Sequence, residues 1–124
     1  MGTFGSDLRK IAEARKLDLE TVSRGFTLRL FDAVVRDTRV DTGRLRGNWN
    51  AATGTIDRTT TEAVDKRPGA GLRSEMRAKV SPLALNTLSN SLPYAVVWEE
   101  KDGMIARAVA DFERLLRAEV EALK

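Results

Sequence analysis

The stretch VDTGRLRGNW, residues 40–49, is where the chain changes from a helical to a β-type pattern. An Asp side chain can accept backbone N–H groups two or three residues further on, and Asp41 is placed to do so. Thr42 can make the same type of contact, and Gly43 can take the positive φ that a tight turn demands. These residues predict a corner between a helix and a strand.

A basic pair and an aromatic residue follow this corner. Arg44 and Arg46 are either ordinary exposed residues or partners of carboxylates on a neighbouring subunit, where the guanidinium fork favours Arg over Lys. Trp49 is expected to be partly buried, and aromatic anchors also lead interface hot spots. The segment therefore indicates docking rather than catalysis.

Before the corner, apolar residues recur at spacings of three and four, which predicts a helix with one apolar face. These residues are Leu8, Ile11, Leu19, Val22, Phe26, Leu30 and Val34. Asp18 offers an N-cap inside this stretch. Residues 6–17 are therefore a candidate N-terminal arm, with a bend near residues 16–19.

After the corner, alternating residues predict two strands with a loop and a short helix between them. The first strand places Trp49, Ala51, Thr53 and Thr55 on one side. Residues 57–71 are rich in Thr, Asp, Arg and Gly and predict an exposed loop, and residues 72–80 predict a short helix. The second strand follows Pro82 and alternates at Leu83, Leu85, Thr87 and Ser89.

The motif NSLPYA, residues 90–95, opens the helical C-terminal part. Pro93 suits the first turn of a helix with Tyr94 beside it, and Lys101-Asp102-Gly103 should break that helix. Residues 104–123 predict one amphipathic helix, with an apolar face of Ile105, Ala108, Val109, Phe112, Leu115, Leu116, Val120 and Leu123. Residues 1–124 are thus expected to form a single α+β domain. Its small antiparallel or mixed sheet would be flanked by long N-terminal and C-terminal amphipathic helices.

The composition excludes several classes of chemistry. The chain has no Cys and no His, so disulfides, a thiolate nucleophile, a Ser-His pair and the usual Cys/His zinc sites are ruled out. No apolar run approaches the roughly 20 residues of a membrane span, and the N-terminus lacks the apolar core of a signal peptide. We therefore expect no catalytic, cofactor-binding or metal-binding residue, and no membrane partner.

Two other classes are weakened by their missing context. The Asp41-Thr42-Gly43 tripeptide also occurs in aspartic proteases, but Arg39 and Arg44 flank it here, and no second apolar-apolar-Gly element is present to build that β-rich fold. A formal net charge of +3 and a pI near 9.6 permit contact with nucleic acid. A small DNA-binding module would nevertheless need a basic recognition helix or an aromatic platform, and neither pattern is found.

The order of the motifs resembles one known family. VDTGRLRGNW follows a helix ending in LFDAVV, and N-x-L-P-Y-A is followed by Glu99 and by a Gly-Met pair before the last helix. Over residues 19–116 this resembles the neck and tail-completion (head–tail joining) proteins of long-tailed bacteriophages. The family signature falls on Asp41, Thr42, Gly43, Arg44, Trp49, Asn90, Pro93, Tyr94, Ala95 and Glu99, and Arg46 joins them as an interface candidate.

The resemblance implies a structural virion protein without enzymatic activity or cofactor. Such a subunit would assemble in the host cytoplasm into a ring, a hexamer or dodecamer, at the head–tail junction of the virion. Its partners would be head-completion, adaptor or portal proteins and a tail terminator or tail-tube protein, with double-stranded DNA passing through the lumen without sequence specificity. The alternative role is that of the tail terminator itself, which caps the tube.

This chain departs from the family pattern at one place, and some of its residues are candidates for contacts within a ring. Only residues 100–102 separate Glu99 from the Gly-Met pair, where family members carry a longer Ser/Gln/Pro-containing loop. The arm, residues 6–17, and the loop, residues 57–71, are candidates for reaching neighbouring subunits. The cations that would line the lumen or face solvent are Arg24, Arg29, Arg58, Lys66 and Arg67.

Overall fold

The computed structural model describes Lys10, Glu13 and residues 18–39, 43–67 and 71–123. Within these residues the chain forms six helices and two strands. The helices are α1 (Leu19–Asp37), α2 (Arg44–Gly47), α3 (Ser74–Arg77), α4 (Ala95–Asp102), α5 (Met104–Ala110) and α6 (Phe112–Ala122). The strands are β1 (Trp49–Thr53) and β2 (Asn86–Asn90). Apart from Lys10 and Glu13, the predicted arm lies outside the described residues, as do Asp41 and Thr42.

The predicted N-cap of α1 is confirmed. One carboxylate oxygen of Asp18 accepts the Glu20 N–H at 3.3 Å, and the other accepts the Thr21 hydroxyl at 2.7 Å. The hydrogen bond from Thr21 is the main reason why the pKa of Asp18 is lowered. The helix ends at Thr38, whose hydroxyl donates to the carbonyl of Val34 at 2.8 Å. Both ends of α1 are thus closed by side chains of its own sequence.

The sheet is antiparallel, with Trp49 opposite Asn90 and Thr53 opposite Asn86. The prediction that the first strand reaches Thr55 was wrong, because Gly54 takes a φ of 78° and turns the chain. The prediction that the second strand begins at Leu83 was also wrong, because Leu83 itself has a left-handed φ of 53°. The expected α+β fold, with helices flanking a small sheet, is confirmed.

The helical segments are shorter than the sequence pattern predicts. Only Ser74–Arg77 is helical within residues 72–80. The break predicted over Lys101-Asp102-Gly103 falls at Gly103, which ends α4 with a φ of 63°, while Lys101 and Asp102 are still helical. The single helix predicted over residues 104–123 was wrong: Asp111, at φ −92° and ψ 10°, separates α5 from α6.

The break at Asp111 changes which side chains are buried. Because the two helices no longer share one face, α5 buries Met104 and Ala108. Ile105 and Val109, which were expected on the apolar face, are 42% and 54% exposed.

Two groups of buried apolar residues hold the helices and the sheet together. The larger group joins α1 to α2, the sheet, α3 and α5: Leu28, Phe31, Val34, Val35, Leu45, Trp49, Ala51, Leu72, Met76, Val80, Leu92, Ala95, Met104 and Ala108. The smaller group joins the first half of α1 to α6: Val22, Phe26, Leu115, Leu116 and Val120. Helix α1 contributes to both groups, so it is the central support of the fold.

Candidate functional site

The two signature motifs meet in space. Trp49 and Asn90 are directly opposite each other in the sheet. The Asn90 side-chain amide donates to the carbonyl of Leu45 at 2.7 Å, and its oxygen accepts the Leu92 N–H at 3.2 Å. Asn90 therefore fastens the start of the NSLPYA motif to the single turn of α2.

Gly43 closes the corner through its backbone. With a φ of 87° it occupies a conformation that side-chain-bearing residues rarely adopt. Its carbonyl accepts the N–H of Gly47 at 3.0 Å and the N–H of Asp65 at 2.8 Å. An added Cβ would come within 2.8 Å of the Lys66 side chain. The expected left-handed turn at Gly43 is present, and it also brings residues 65–66 against the corner.

Four side chains at alternate positions hold the segment 57–67 to the domain. We call them the clamp: Arg44, Arg46, Asn48 and Asn50. Asn48 is almost completely buried, and its amide donates to the carbonyl of Thr61 at 3.0 Å while its oxygen accepts the Thr61 N–H at 2.8 Å. Asn50 donates to the carbonyl of Thr59 at 2.8 Å. Asn48 thus pairs with Thr61 much as a neighbouring strand would.

Arg46 is the buried cation of the clamp, with 5% of its surface exposed. Its guanidinium donates to the carbonyl of Asp65 at 3.0 Å and to the carbonyl of Arg67. The Asp65 carboxylate, also buried, lies 3.5 Å from the same group. Burying a cation is costly unless it is paired and hydrogen-bonded, and the Asp65 carboxylate with two main-chain carbonyls meets that requirement.

Asp65 is held between two arginines. Arg67 binds it with both Nε and Nη2, at 2.8 and 2.7 Å. This side-chain hydrogen bonding is the main cause that lowers the pKa of Asp65 to about 2, with the charge of Arg46 adding to it. The same contact raises the pKa of Arg67. Most of residues 57–67 are exposed, as predicted for this loop, but Asp65 anchors them to the interior.

Arg44 occupies the outer end of the clamp. Its Nε donates to the carbonyl of Thr61 at 3.3 Å, and its Nη2 lies 3.2 Å from the Glu62 carboxylate. The sequence left open whether Arg44 is an ordinary exposed residue or pairs with a carboxylate of a neighbouring subunit; in the structure it pairs with Glu62 of its own chain. Sequence analysis did not identify Asn48, Asn50 and Asp65, although the Asn-x-Asn spacing places both amides on one side of a strand.

Trp49 is a core residue. It is 4% exposed, and its indole N–H donates to the Thr38 hydroxyl at 2.8 Å. Trp98 is partly exposed instead, with the Arg39 guanidinium 3.9 Å from its ring centroid. Arg39 also forms a two-pronged ion pair with Asp102, at 3.0 and 3.1 Å. This hydrogen bonding is the main cause that lowers the pKa of Asp102.

The remaining signature residues serve the start of the C-terminal helices. Pro93 is exposed before α4, and Tyr94 packs against the larger buried group. The Glu99 carboxylate accepts the N–H groups of Ile105 and Ala106, at 2.9 and 3.2 Å. Glu99 therefore caps α5 from the end of α4, and both of its oxygens are occupied within the chain.

Three of the five cations considered for a lumen are held by the domain itself. Arg24 donates to the carbonyls of Val80 and Arg77, at 3.0 and 2.9 Å, and so caps the end of α3. Arg29 pairs with Glu119 at 2.7 Å, and Arg67 with Asp65. Arg58 and Lys66 are exposed.

A groove of about 630 Å³ lies along α1 between α6 and the end of α3. Its charged walls are paired, Arg29 with Glu119 and Arg77 with Asp32. Within the described ranges no three acidic residues come together as a metal site would require. None of the described helices combines the length and apolarity of a membrane span. No family model, curated protein or solved structure matches this chain.

Proposed function

We propose that this chain is a structural virion protein, a neck or tail-completion subunit of a long-tailed phage. Copies of it would assemble into a ring at the head–tail junction, join the tail to the portal–adaptor complex and let DNA pass through the lumen. The motif order over residues 19–116 supports this proposal through the family resemblance. The clamp supports it indirectly, because the signature residues build a rigid corner rather than a reaction site.

The observation that carries the proposal is a set of four exposed apolar residues on two consecutive helices. On α4, Val96 and Val97 are 66% and 46% exposed, and on α5, Ile105 and Val109 stand one turn apart and are similarly exposed. Exposed apolar residues that collect on neighbouring elements indicate a protein–protein contact, whereas scattered ones do not. We refer to these four residues as the α4–α5 surface.

A ring needs two different surfaces on each subunit, because its interface is heterologous. The other exposed large apolar residues lie in segments outside the helices and strands: Ile56, Val64, Leu83 and Leu85. The α4–α5 surface of one copy would bury its side chains against a second region of the next copy, such as that of Ile56 and Val64. The paired state of Arg24, Arg29 and Arg67 is compatible with a weakly charged lumen, through which DNA slides rather than binds.

Assembly of the purified chain tests the ring directly. Native mass spectrometry and negative-stain electron microscopy should find closed rings, and Val97→Asp and Ile105→Asp should reduce them to monomers or small oligomers. Ser74→Asp is the matched control, because Ser74 is exposed at the first residue of α3, where an acidic residue is tolerated. Rings that persist in both α4–α5 variants would remove that surface from the interface.

Deleting the gene from the phage or prophage that carries it distinguishes the two roles in the virion. Filled heads with separate tails of normal length are expected for a joining protein. Overlong tails would instead assign the alternative role, the tail terminator. Normal joined particles would overturn both.

A further inference from the structure

Two contacts show which opposite residues of β1 and β2 exchange backbone hydrogen bonds and which do not. The Gly54 N–H donates to the Leu85 carbonyl at 2.8 Å, just beyond the ladder. The Ala51 N–H points away from β2 and donates to the Met76 sulfur at 3.3 Å. In an antiparallel ladder, pairs that exchange hydrogen bonds alternate with pairs that do not. The peptide groups of Asn86, Leu88 and Asn90 therefore point away from β1.

The two outer edges of the sheet are not equivalent. The β1 edge is covered by α3 through Met76. The β2 edge presents the N–H and C=O groups of Asn86, Leu88 and Asn90, and within residues 18–39, 43–67 and 71–123 no other backbone group is hydrogen-bonded to them. Natural edge strands are usually protected by Lys, Pro, a bulge or a covering segment. The β2 sequence, NTLSN, carries neither a charge nor a proline.

The sequence of β2 is also nearly palindromic in its chemistry. Asn86 and Asn90 are identical, Thr87 and Ser89 are both hydroxyl residues, and Leu88 is at the centre. Antiparallel pairing of two β2 strands about Leu88 places Asn86 opposite Asn90 of the second copy. Leu88 then lies opposite Leu88 of the second copy. Its N–H and C=O groups point away from β1 and toward that copy, as a hydrogen-bonded pair requires. The open edge is therefore complementary to itself.

We propose that the β2 edge is a self-association site, at which a second copy of this chain adds its own β2 in antiparallel register about Leu88. The contact is two-fold symmetric and extends the two-stranded sheet to four strands, an arrangement more stable than an isolated pair. Leu85, which is 73% exposed, precedes β2, and the exposed Pro93 follows it. In this register Leu85 of one copy lies opposite Ser91 of the other, two residues before Pro93, so each Leu85 borders the contact.

This contact does not depend on the ring. A ring uses two different surfaces, whereas the β2 contact uses the same surface on both copies. It would hold unassembled subunits as dimers, or join two rings face to face. The α4–α5 surface is not part of it, so the two proposals can fail separately.

Residue-resolved amide hydrogen exchange of the full chain, measured over a range of protein concentrations, tests the proposal. The N–H groups of Thr87 and Ser89 bond to β1 and should be protected at every concentration. The Leu88 N–H should exchange rapidly in dilute protein. Once most of the protein is dimeric, its protection should rise about threefold for a tenfold rise in concentration, because the fraction of monomer falls with the square root of the concentration. Sedimentation equilibrium should show a monomer–dimer transition over the same range.

A matched pair of exposed substitutions completes the test. Leu85→Lys adds a charge beside the β2 edge and should abolish both the dimer and the concentration-dependent protection of Leu88. Ala122→Lys adds the same charge at an exposed position of α6, outside both proposed contacts, and should leave both unchanged. Rapid Leu88 exchange at all concentrations would overturn the proposal, and so would protection that does not depend on concentration. Rings whose Leu88 amide still exchanges rapidly would overturn it while leaving the proposed function standing.

Discussion

The carboxylate of Glu119, on α6, lies directly over the backbone of Gly25, in the middle of α1. A Cβ placed on residue 25 would come within 1.9 Å of a Glu119 oxygen. Glu119 is held there by Arg29 at 2.7 Å and is nearly buried. The Glu119 carboxylate can make room only by giving up its ion pair with Arg29, so we expect Gly25→Ala to lower the free energy of unfolding by about 1 kcal/mol, the lost pair outweighing the higher helix propensity of Ala. Urea denaturation measures this difference.

The double variant provides the control for this prediction. Once Glu119→Ala has removed the carboxylate, the space above residue 25 is open. Gly25→Ala in that background should then raise the free energy of unfolding by about 1 kcal/mol, the difference in helix propensity. A Gly25→Ala effect of the same sign in both backgrounds would contradict the steric explanation.

Asn48 should control the order of residues 57–67. It makes three hydrogen bonds, to the Arg44 carbonyl and to both peptide groups of Thr61. Asn48→Ala removes the partner of the Thr61 N–H and one of the two donors to the Thr61 carbonyl, which keeps Arg44, and should cost about 1–3 kcal/mol. Cleavage of residues 57–67 by a nonspecific protease should also become faster. Thr60→Ala, at an exposed neighbour of Thr61, should change neither property. Equal cleavage rates in Asn48→Ala and in the unmodified protein would show that the clamp does not hold the segment.

Asp65 should make the stability depend on acid pH. Its pKa in the folded chain is about 2, below the ordinary value of 3.8, so the unfolded chain binds more protons between these values. The stabilisation that the Asp65 carboxylate contributes is fully present above the pKa of 3.8 that the group has in the unfolded chain. It is lost as the pH falls from there through about 2. This loss corresponds to about 2 kcal/mol. We expect the stability advantage over Asp65→Asn, measured by urea denaturation at successive pH values, to shrink by this amount. Parallel pH profiles for the two proteins would contradict the assignment.

Glu99 should stabilise the domain rather than bind a partner. Its carboxylate satisfies two N–H groups in the first turn of α5. Glu99→Ala should therefore lower the free energy of unfolding by about 1 kcal/mol, as the loss of a helix cap does. Glu100→Ala, at the exposed adjacent position, is the control and should stay within about 0.5 kcal/mol of the unmodified protein. If Glu99→Ala instead preserved stability and abolished oligomers, Glu99 would be an interface residue.

The sequence predicted the end of a helix where a single residue with a strong backbone preference determines it. The N-cap at Asp18 and Gly103 at the end of α4 each depend on a residue type with a strong backbone preference. Pro93 was expected in the first turn of α4 but lies two residues before it, because the helix begins at Ala95. The break at Asp111 has no such signal, because neither Gly nor Pro stands there. It follows from the packing of α5 and α6 on different parts of α1, which periodicity along one segment does not encode.

The clamp could not be predicted because its partners are distant in the sequence. Asn48 and Thr61 are thirteen residues apart, and Arg46 and Asp65 nineteen. A buried Arg or Asn looks like a surface residue in a hydropathy pattern, since such side chains are buried only when a specific partner is supplied. The burial of Glu119 was not predicted for the same reason, because its partner Arg29 is on another helix.

The clamp mostly holds the carbonyl oxygens of residues 59–67, and every amino acid has a carbonyl oxygen. Apart from Asp65, the identities of the residues between Asp57 and Arg67 are therefore nearly free to drift over evolution while the path of the chain is retained. Relatives of this protein should differ strongly there and still keep an amide at residue 48 and a guanidinium at residue 46. A subunit built in this way can alter the chemistry of an exposed segment, and with it the partner that the segment fits, without redesigning its fold.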